Sequence, residues 1–229
     1  MSSESRGGDA VGLPAQQETA APKPAERGNL IVVSAPSGAG KSSLAERALK
    51  RIEGLRFSVS YTTREPRGEE QDGVDYHFVS EDEFRAISGR GEFLESAEVH
   101  GYLYATHIAA VEELLKQGLD VILDIDVQGA EQVKKRVAES ITVFILPPSR
   151  EILEARLRTR NLNEPADLER RLRNAAIEVK LYHDFDYVIV NDDLDRALAS
   201  LEAIITGERC RLSRQRNLVE SILNTFGGD

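Results

Sequence analysis

Residues 34–43 read Ser-Ala-Pro-Ser-Gly-Ala-Gly-Lys-Ser-Ser and follow the apolar run Leu30-Ile31-Val32-Val33. The small residues Ala35, Pro36, Ser37, Gly38, Ala39 and Gly40 let backbone N–H groups turn inward around an anion, and the glycines let it approach without a Cβ clash. Lys41 offers an ammonium to the outer phosphates of a nucleoside triphosphate, and the Ser42 hydroxyl can hold Mg²⁺. Ser43 continues into a helix whose positive dipole end faces the anion. The usual G-x-x-x-x-G-K-[ST] pattern opens on glycine where this chain has Ala35; if a positive φ were needed there, alanine would cost roughly 1 kcal/mol or more. A Gly/Ser-rich turn with an incidental lysine is the competing reading, and a strand before with a helix after argues against it.

A second set of residues suits a phosphorylated base. In Ser58-Val59-Ser60-Tyr61-Thr62-Thr63-Arg64-Glu65-Pro66-Arg67-Gly68-Glu69, two arginines stand three apart around a proline. Planar guanidiniums on a stiff loop can grip a phosphate through paired hydrogen bonds. Tyr76, in Gly73-Val74-Asp75-Tyr76-His77-Phe78, and Tyr104, in Gly101-Tyr102-Leu103-Tyr104-Ala105-Thr106, add hydroxyl donors. Glu95, closing Gly91-Glu92-Phe93-Leu94-Glu95, can accept from two adjacent N–H groups, the arrangement that selects guanine. Singly, each residue reads more readily as solvated charge or core aromatic; together they point to a second ligand.

Both sets need a scaffold of alternating strands and helices, and the pattern supplies one from Asn29 onward. Strands are predicted at 30–34, 57–60, 75–79, 93–99, 119–125, 141–146 and 186–190. Helices are predicted at 41–52, 81–88, 107–117, 128–138, 149–160, 167–182 and 193–223. Leu44, Ala48 and Ile52 share one face of the first helix, and Ser80 with Glu83 forms a capping box for the second. Leu168, Leu172, Ala175 and Val179 stripe the sixth. The runs Val121-Ile122-Leu123 and Val143-Phe144-Ile145-Leu146 are apolar on both faces, as parallel strands covered by helices should be. This is an α/β fold, a doubly wound parallel core with helices on both faces. Residues 57–106 are more charged and read as a small antiparallel insertion over the strand ends, where ligands bind in such sheets. The expected division is a core of 29–56, 107–155 and 183–229, the insertion 57–106, and a mobile lid of 156–171 around Asn161-Leu162-Asn163-Glu164-Pro165-Ala166.

Composition bounds the partners. At 229 residues the chain suffices for one large α/β domain or two small ones. A formal net charge of −10 argues against a broad nucleic-acid or anionic-membrane surface. The single cysteine, Cys210, rules out an intramolecular disulfide and fits a reducing compartment. No apolar run approaches the roughly 20 residues of a membrane span, and no signal-peptide core opens the chain, so a cytoplasmic protein is expected. Residues 1–28 are rich in Ala, Pro, Gly, Ser, Gln and Glu and read as a disordered extension; Glu4, Asp9, Glu18 and Glu26 argue against a transit peptide.

The chain resembles the guanylate kinase family over nearly all of its predicted folded length. The resemblance rests on Ser34–Ser43, Ser58–Gly68, Gly73–Phe78, Glu92–Glu95, Tyr104–Thr106, Leu123-Asp124-Ile125-Asp126-Val127-Gln128-Gly129 and Val188-Ile189-Val190-Asn191-Asp192-Asp193. Arg209-Cys210-Arg211-Leu212-Ser213-Arg214-Gln215 is similar to the bacterial branch. The resemblance implies a P-loop nucleoside monophosphate kinase fold and transfer of the γ-phosphoryl group of MgATP to GMP, and to dGMP, giving GDP and ADP. It implies that Arg64, Arg67, Tyr76 and Tyr104 hold the GMP phosphate and that Ser60, Glu95, Thr106 and Asp126 read the guanine edge. It implies lid arginines at Arg156, Arg160 and Arg171 on the ATP side, with Asn191 near the adenine. After the helix this chain has Arg160-Asn161 where the family commonly has Arg-Gly, followed by Glu164-Pro165. Asp124 has two readings, a carboxylate ordering Mg²⁺-bound water or an arginine, and a buried structural ion pair.

The GMP phosphate is already ionised at neutral pH, so no general base is required; positioning and electrostatics by Lys41, Mg²⁺ and the arginines carry the chemistry. The histidines (His77, His100, His107, His183) show no metal-like clustering. Arg158, Arg170 and Arg173 read as surface charges. Arg209, Arg211, Arg214 and Arg216 read as a solvated helix end, with a homo-oligomer contact as the alternative. Two other functions compete: a guanylate-kinase-like phosphopeptide-binding module, and a P-loop kinase with a phosphorylated sugar acceptor. Lys41, Ser42, Arg64 and Asp124 argue against the first, and Ser60, Glu95 and Thr106 against the second.

Overall fold

A computed structural model describes residues 27–99, 101–159 and 165–227. The order is β1 (Leu30–Ser34), α1 (Lys41–Arg51), β2 (Leu55–Phe57), β3 (Tyr61–Thr62), β4 (His77–Phe78), α2 (Glu81–Gly89), β5 (Phe93–Val99), β6 (Tyr102–His107) and α3 (Ile108–Lys116). There follow β7 (Asp120–Asp124), α4 (Val127–Arg136), β8 (Ile141–Leu146), α5 (Arg150–Thr159), α6 (Pro165–Glu178), a 3-10 segment (Val179–Asp184), β9 (Tyr187–Val190), α7 (Leu194–Arg209) and α8 (Leu212–Thr225).

Every residue of β1 is buried, as a central strand covered on both faces requires. It lies in a five-stranded parallel sheet of order β2-β7-β1-β8-β9. Alternate residues feed opposite faces: Ile31 and Val33 pack with Leu44 and Ala48 of α1 and Leu201 and Ile205 of α7. Leu30 and Val32 pack with Val111 and Leu115 of α3 and Val133 of α4. Each fully buried Leu or Ile contributes roughly 1.5–3 kcal/mol, so these two layers fix the sheet between its helices and leave the carboxyl ends of its strands as a platform. The strands run parallel throughout, but the order of connection switches sides at β1, which lies between β7 and β8, and ligands bind at such switch points in open α/β sheets. No helix among the described residues is long and apolar enough to cross a membrane.

Over that platform stands a second sheet of order β4-β3-β6-β5, backed by α2 through Phe84, Ile87, Phe93 and Ala105. The strands of this sheet lie within residues 57–107, and where an antiparallel arrangement was expected the pairing is mixed: β5-β6 and β3-β6 are antiparallel, whereas β3 and β4 run parallel. β6 was absent from the predicted strands because Tyr102–His107 lacks a regular apolar alternation. It forms through its ladder to β5 after a turn at Gly101, whose φ is 81°. β2 spans Leu55–Phe57 where a strand over 57–60 was expected, paired with Asp120, Val121 and Ile122 of β7.

Two boundaries also shift. Arg27 and Gly28, assigned above to the extension, belong to the folded unit: Arg27 forms a paired ion contact with Glu112 at 2.7 and 2.6 Å, and Gly28 N–H donates to Leu115 O. A Cβ on Gly28 would lie 1.9 Å from Leu119 O, so the contact is specific to glycine. The remaining residues of that extension lie outside the described residues. The predicted single helix over 193–223 is instead two, broken at Cys210-Arg211. Buried Glu208 accepts from Tyr187 Oη and pairs with Arg211 at 2.7 Å, while Gln215 Nε2 caps the Arg209 carbonyl at 2.7 Å, and these bonds turn the chain. α5 and α6 pack together through Leu153, Leu157 and Ala175; within the expected lid of 156–171, residues 160–164, with Arg160, lie outside the described residues, as does His100.

Candidate active site

The phosphate loop leaves β1 beside the end of β7, because Val33 is in register with Asp124. Its glycines take the left-handed turns, Gly38 at φ 90° and Gly40 at 96°. Ala35, where the usual pattern has glycine, packs its methyl against the core. Two residues from elsewhere in the chain secure the loop. Asn191 Nδ2, at the end of β9, donates to Ala39 O at 2.8 Å, and a Cβ on Gly40 would come within 2.3 Å of that nitrogen. Arg156 bridges Ala39 O at 3.3 Å and Asn191 O at 2.9 Å. Arg156 and Asn191 therefore brace the loop, and both line the small hollow bounded by Gly38, Gly40, Ser43, Thr159 and Leu194.

Lys41 opens α1 and points back across the strand ends. Its Nζ lies 2.6 Å from Asp124 Oδ1 and donates to Ile125 O at 2.6 Å. Of the two readings of Asp124, the structure shows an ion pair, with Lys41 as its partner, and the Asp124 side chain remains 14% exposed.

That pair borders a cleft of ≈ 290 Å³. Lys41, Ser42 and Asp124 form one wall; Ser60, Tyr76, Glu95, Tyr104 and Asp126 line the rest, with Phe57, Ala97 and Val99. Segments far apart in sequence thus meet where the second sheet overhangs the platform. Glu95 is 4% exposed, and burial, with the nearby Asp126 carboxylate, pushes its carboxyl up to about 7, although the Thr106 hydroxyl and Lys41 pull the other way. Thr106 Oγ1 donates to Glu95 Oε1 at 2.7 Å. A fully buried Thr106 acts on Glu95 from behind and does not line the cleft. Asp126 caps α4 by accepting from Gly129 N–H at 2.8 Å. Gly129 is required for space, because a Cβ there would sit 2.6 Å from Glu95 Oε2.

The two arginines of the proline loop part company. Arg64 is buried, its guanidinium held by both oxygens of Glu70 at 2.9 and 3.0 Å and by Glu65 O at 2.7 Å, under the rings of Tyr76 and Phe78. The Glu70 hydrogen bonds raise the Arg64 pKa still further, and Arg64 lowers that of Glu70. Arg67 contributes its backbone N–H to Glu70 at 2.7 Å, while its side chain is exposed and outside the cleft lining. Glu70 was not foreseen; nothing in its spacing marks it among the neighbouring acids.

On the other side of the loop, α6 lays Arg171, Asn174 and Glu178 against Ser37, Gly38 and Ser42. Arg171 is anchored by Asp167 at 2.9 Å and reaches Ser37 Oγ at 3.4 Å. Glu178 was also missed. Its Oε2 is buried without a hydrogen-bond partner, and burial followed by repulsion from Asp126 raises its pKa despite the Ser37 N–H. Arg158, Arg170 and Arg173 form exposed pairs with Glu154, Asp167 and Glu169, as their surface reading anticipated.

The guanylate kinase family model matches residues 27–208, which spans both sheets and the phosphate loop. The chain belongs to the guanylate kinase family. It is 52% identical over 201 residues to a guanylate kinase of Alkalilimnicola ehrlichii, covering 88% of this chain and 99% of that relative. It is 46% identical over 202 residues to one from Vibrio cholerae, covering 87% and 98%. A crystal structure of guanylate kinase from Anaplasma phagocytophilum superposes with a TM-score of 0.72 at 33% identity, over 89% of this chain and 98% of that one. The family match begins at Arg27, where the described residues also begin.

Proposed function

We propose that this chain transfers the γ-phosphoryl group of ATP to GMP, giving ADP and GDP. The single observation that carries the reading is Glu95: a buried carboxylate, backed by Thr106, that opens onto the same cleft as Lys41, Ser42 and Asp124. A buried carboxylate flanked by Ser60 and Asp126 matches the N1–H and 2-amino donors of guanine. A base without those donors would leave the carboxylates unpaired, which costs more than the contacts gain. A phosphopeptide-binding module has no use for the intact lysine, and a phosphorylated sugar offers no such edge to the carboxylates.

A phosphate oxygen of GMP attacks the γ-phosphorus of ATP, and the bond to the β–γ bridging oxygen breaks with its electron pair leaving on ADP. No proton needs removal from the nucleophile. Lys41 exchanges Asp124 and the Ile125 carbonyl for phosphate oxygens, Arg171 meets the phosphates from the lid side, and Arg64 with Tyr76 and Tyr104 receives the GMP phosphate. Arg160 joins the donor side in this proposal by resemblance. Oxygen donors at Ser42 and Asp124 suit Mg²⁺, and among the described residues no group of three or more His, Cys, Asp or Glu side chains could enclose a metal by itself, in keeping with an ion held largely by phosphates and water. When bound, that ion neutralises charge developing on the phosphates.

dGMP, which shares base and phosphate with GMP, is proposed as a second acceptor, and the cytoplasm as the site of action. The exposed apolar residues Leu212, Ile222 and Leu223 on α8, with Phe226 directly after it, keep a homo-oligomer contact as a proposal, with light scattering of the purified protein as its test. The activity is tested by ADP release coupled to a reporter, with GMP, AMP, UMP or no acceptor. Turnover with GMP alone is expected; equal rates for GMP and the acceptor-free control would overturn the proposal.

A further inference from the structure

β5 is the edge strand of the second sheet, so one side of its backbone has no ladder partner. Side chains of α4 take that place. Ser96 N–H donates to Gln132 Oε1 at 3.1 Å, and Gln132 Nε2 donates to Ser96 O at 2.8 Å, so one amide group reproduces the two bonds of an adjacent strand. One turn further on, Arg136 Nη1 donates to Phe93 O. Between these anchors sits Glu95, with its Oε2 against Gly129, which the N-terminal cap Asp126 holds from the same helix.

We infer that Gln132 is a positioning residue for base selection, fixing Glu95 against Asp126 by clamping the free edge of β5 to α4 of the core. This inference rests on the reading of Glu95 as the guanine acceptor. Its physical content is a division of labour within the second sheet. The base-reading strand β5 is fastened to the platform. Arg64 and Tyr76, which face the acceptor phosphate, stand toward the opposite edge on β3, β4 and their loops, where no comparable side-chain clamp to α4 is seen among the described residues. Loss of the amide would let β5 drift from α4 and blur the distance between two carboxylates that must meet adjacent donors on one base. It would leave the phosphate loop, 191 and 156 braces included, untouched.

Steady-state kinetics on the full chain test this with Gln132→Leu, which removes both bonds, and Gln132→Glu, which keeps an acceptor for Ser96 N–H but sets a carboxylate oxygen against Ser96 O. The expected result is a KM for GMP raised roughly tenfold in Gln132→Leu, with kcat at saturating GMP and KM for ATP within about twofold of the parent. The preference for GMP over IMP, which lacks the 2-amino group, should fall by a similar factor. Lys135→Ala, an exposed neighbour on α4, should change none of these. An unchanged GMP/IMP preference in both Gln132 variants would overturn the inference, as would equal losses in kcat and in both KM values, which signal general loosening. If Gln132→Leu does not fold, Gln132→Glu and its melting temperature carry the test alone. Failure of the parent chain to phosphorylate GMP would instead overturn the proposed activity.

Discussion

The donor and acceptor halves of the site are built by opposite means. The donor half is a loop of backbone amides and glycine turns, contiguous from Ala35 to Ser43 and braced by Asn191 and Arg156 through a single carbonyl, that of Ala39. The acceptor half has little backbone in it. It is a set of side chains from five separated stretches of chain, two of them, Glu95 and Arg64, buried and already partnered. A loop of amides accepts any phosphate tail of suitable shape, whereas buried partnered side chains accept only a ligand that replaces or matches their partners. Charge follows the same split: the lysine of the donor half is neutralised by an exchangeable ion pair, while the carboxylate of the acceptor half is held near its ionisation midpoint by burial.

The contrast predicts separable losses, and the largest comes from the donor side. Lys41→Ala should lower kcat by about a thousandfold or more, because an ammonium aimed at developing charge is removed in a partly water-excluded site. Calorimetry should still find GMP bound within a few-fold of the parent affinity; loss of GMP binding would mean that Lys41 belongs to both halves. Glu95→Gln should do the reverse, raising KM for GMP by roughly a hundredfold through loss of charge-assisted hydrogen bonds and the mismatch of an amide donor, with KM for ATP little changed.

A smaller effect is set by pH. Glu95 must ionise to accept from guanine, so KM for GMP should rise roughly tenfold between pH 8 and pH 6 if the carboxyl titrates near its ligand-free value of about 7. Stability has the opposite sign. A folded-state pKa above the unfolded value of 4.5 means that the folded chain holds more proton between those limits. The contribution of Glu95 is therefore full below pH 4.5 and is lost as pH rises through 7. Glu95→Gln should abolish this pH dependence of KM. The smallest effect concerns Glu178, whose carboxylate faces the Ser37 amide in the ligand-free loop. Glu178→Gln should lower KM for ATP two- to threefold, since it removes a negative charge that competes with the incoming phosphates. A raised KM would show that the carboxylate supports the phosphate loop instead.

Legibility in the sequence followed the same division. Ala35 to Ser43 could be read because backbone chemistry needs small residues in consecutive order, and the parallel core could be read because buried strands such as Val121-Ile122-Leu123 are uniformly apolar. β6 and the parallel pairing of β3 with β4 could not, since short half-exposed strands acquire their identity from partners and not from periodicity. The break between α7 and α8 was likewise invisible, as it depends on Tyr187 reaching Glu208 from another element.

What the residue order carried was an inventory of side chains: small residues leading into Lys41 and Ser42, a pair of arginines beside tyrosines, and the carboxylate of Glu95, because each is a matter of side-chain type and local spacing. Tertiary structure alone decided which members meet and in what state. It buried Arg64 against an unforeseen Glu70, left the Arg67 side chain in solvent, set Thr106 behind Glu95, and joined Lys41 to Asp124. The reason is dielectric as much as geometric. A charge acquires its partner and its protonation from what surrounds it, and those surroundings exist only when distant segments close over one another.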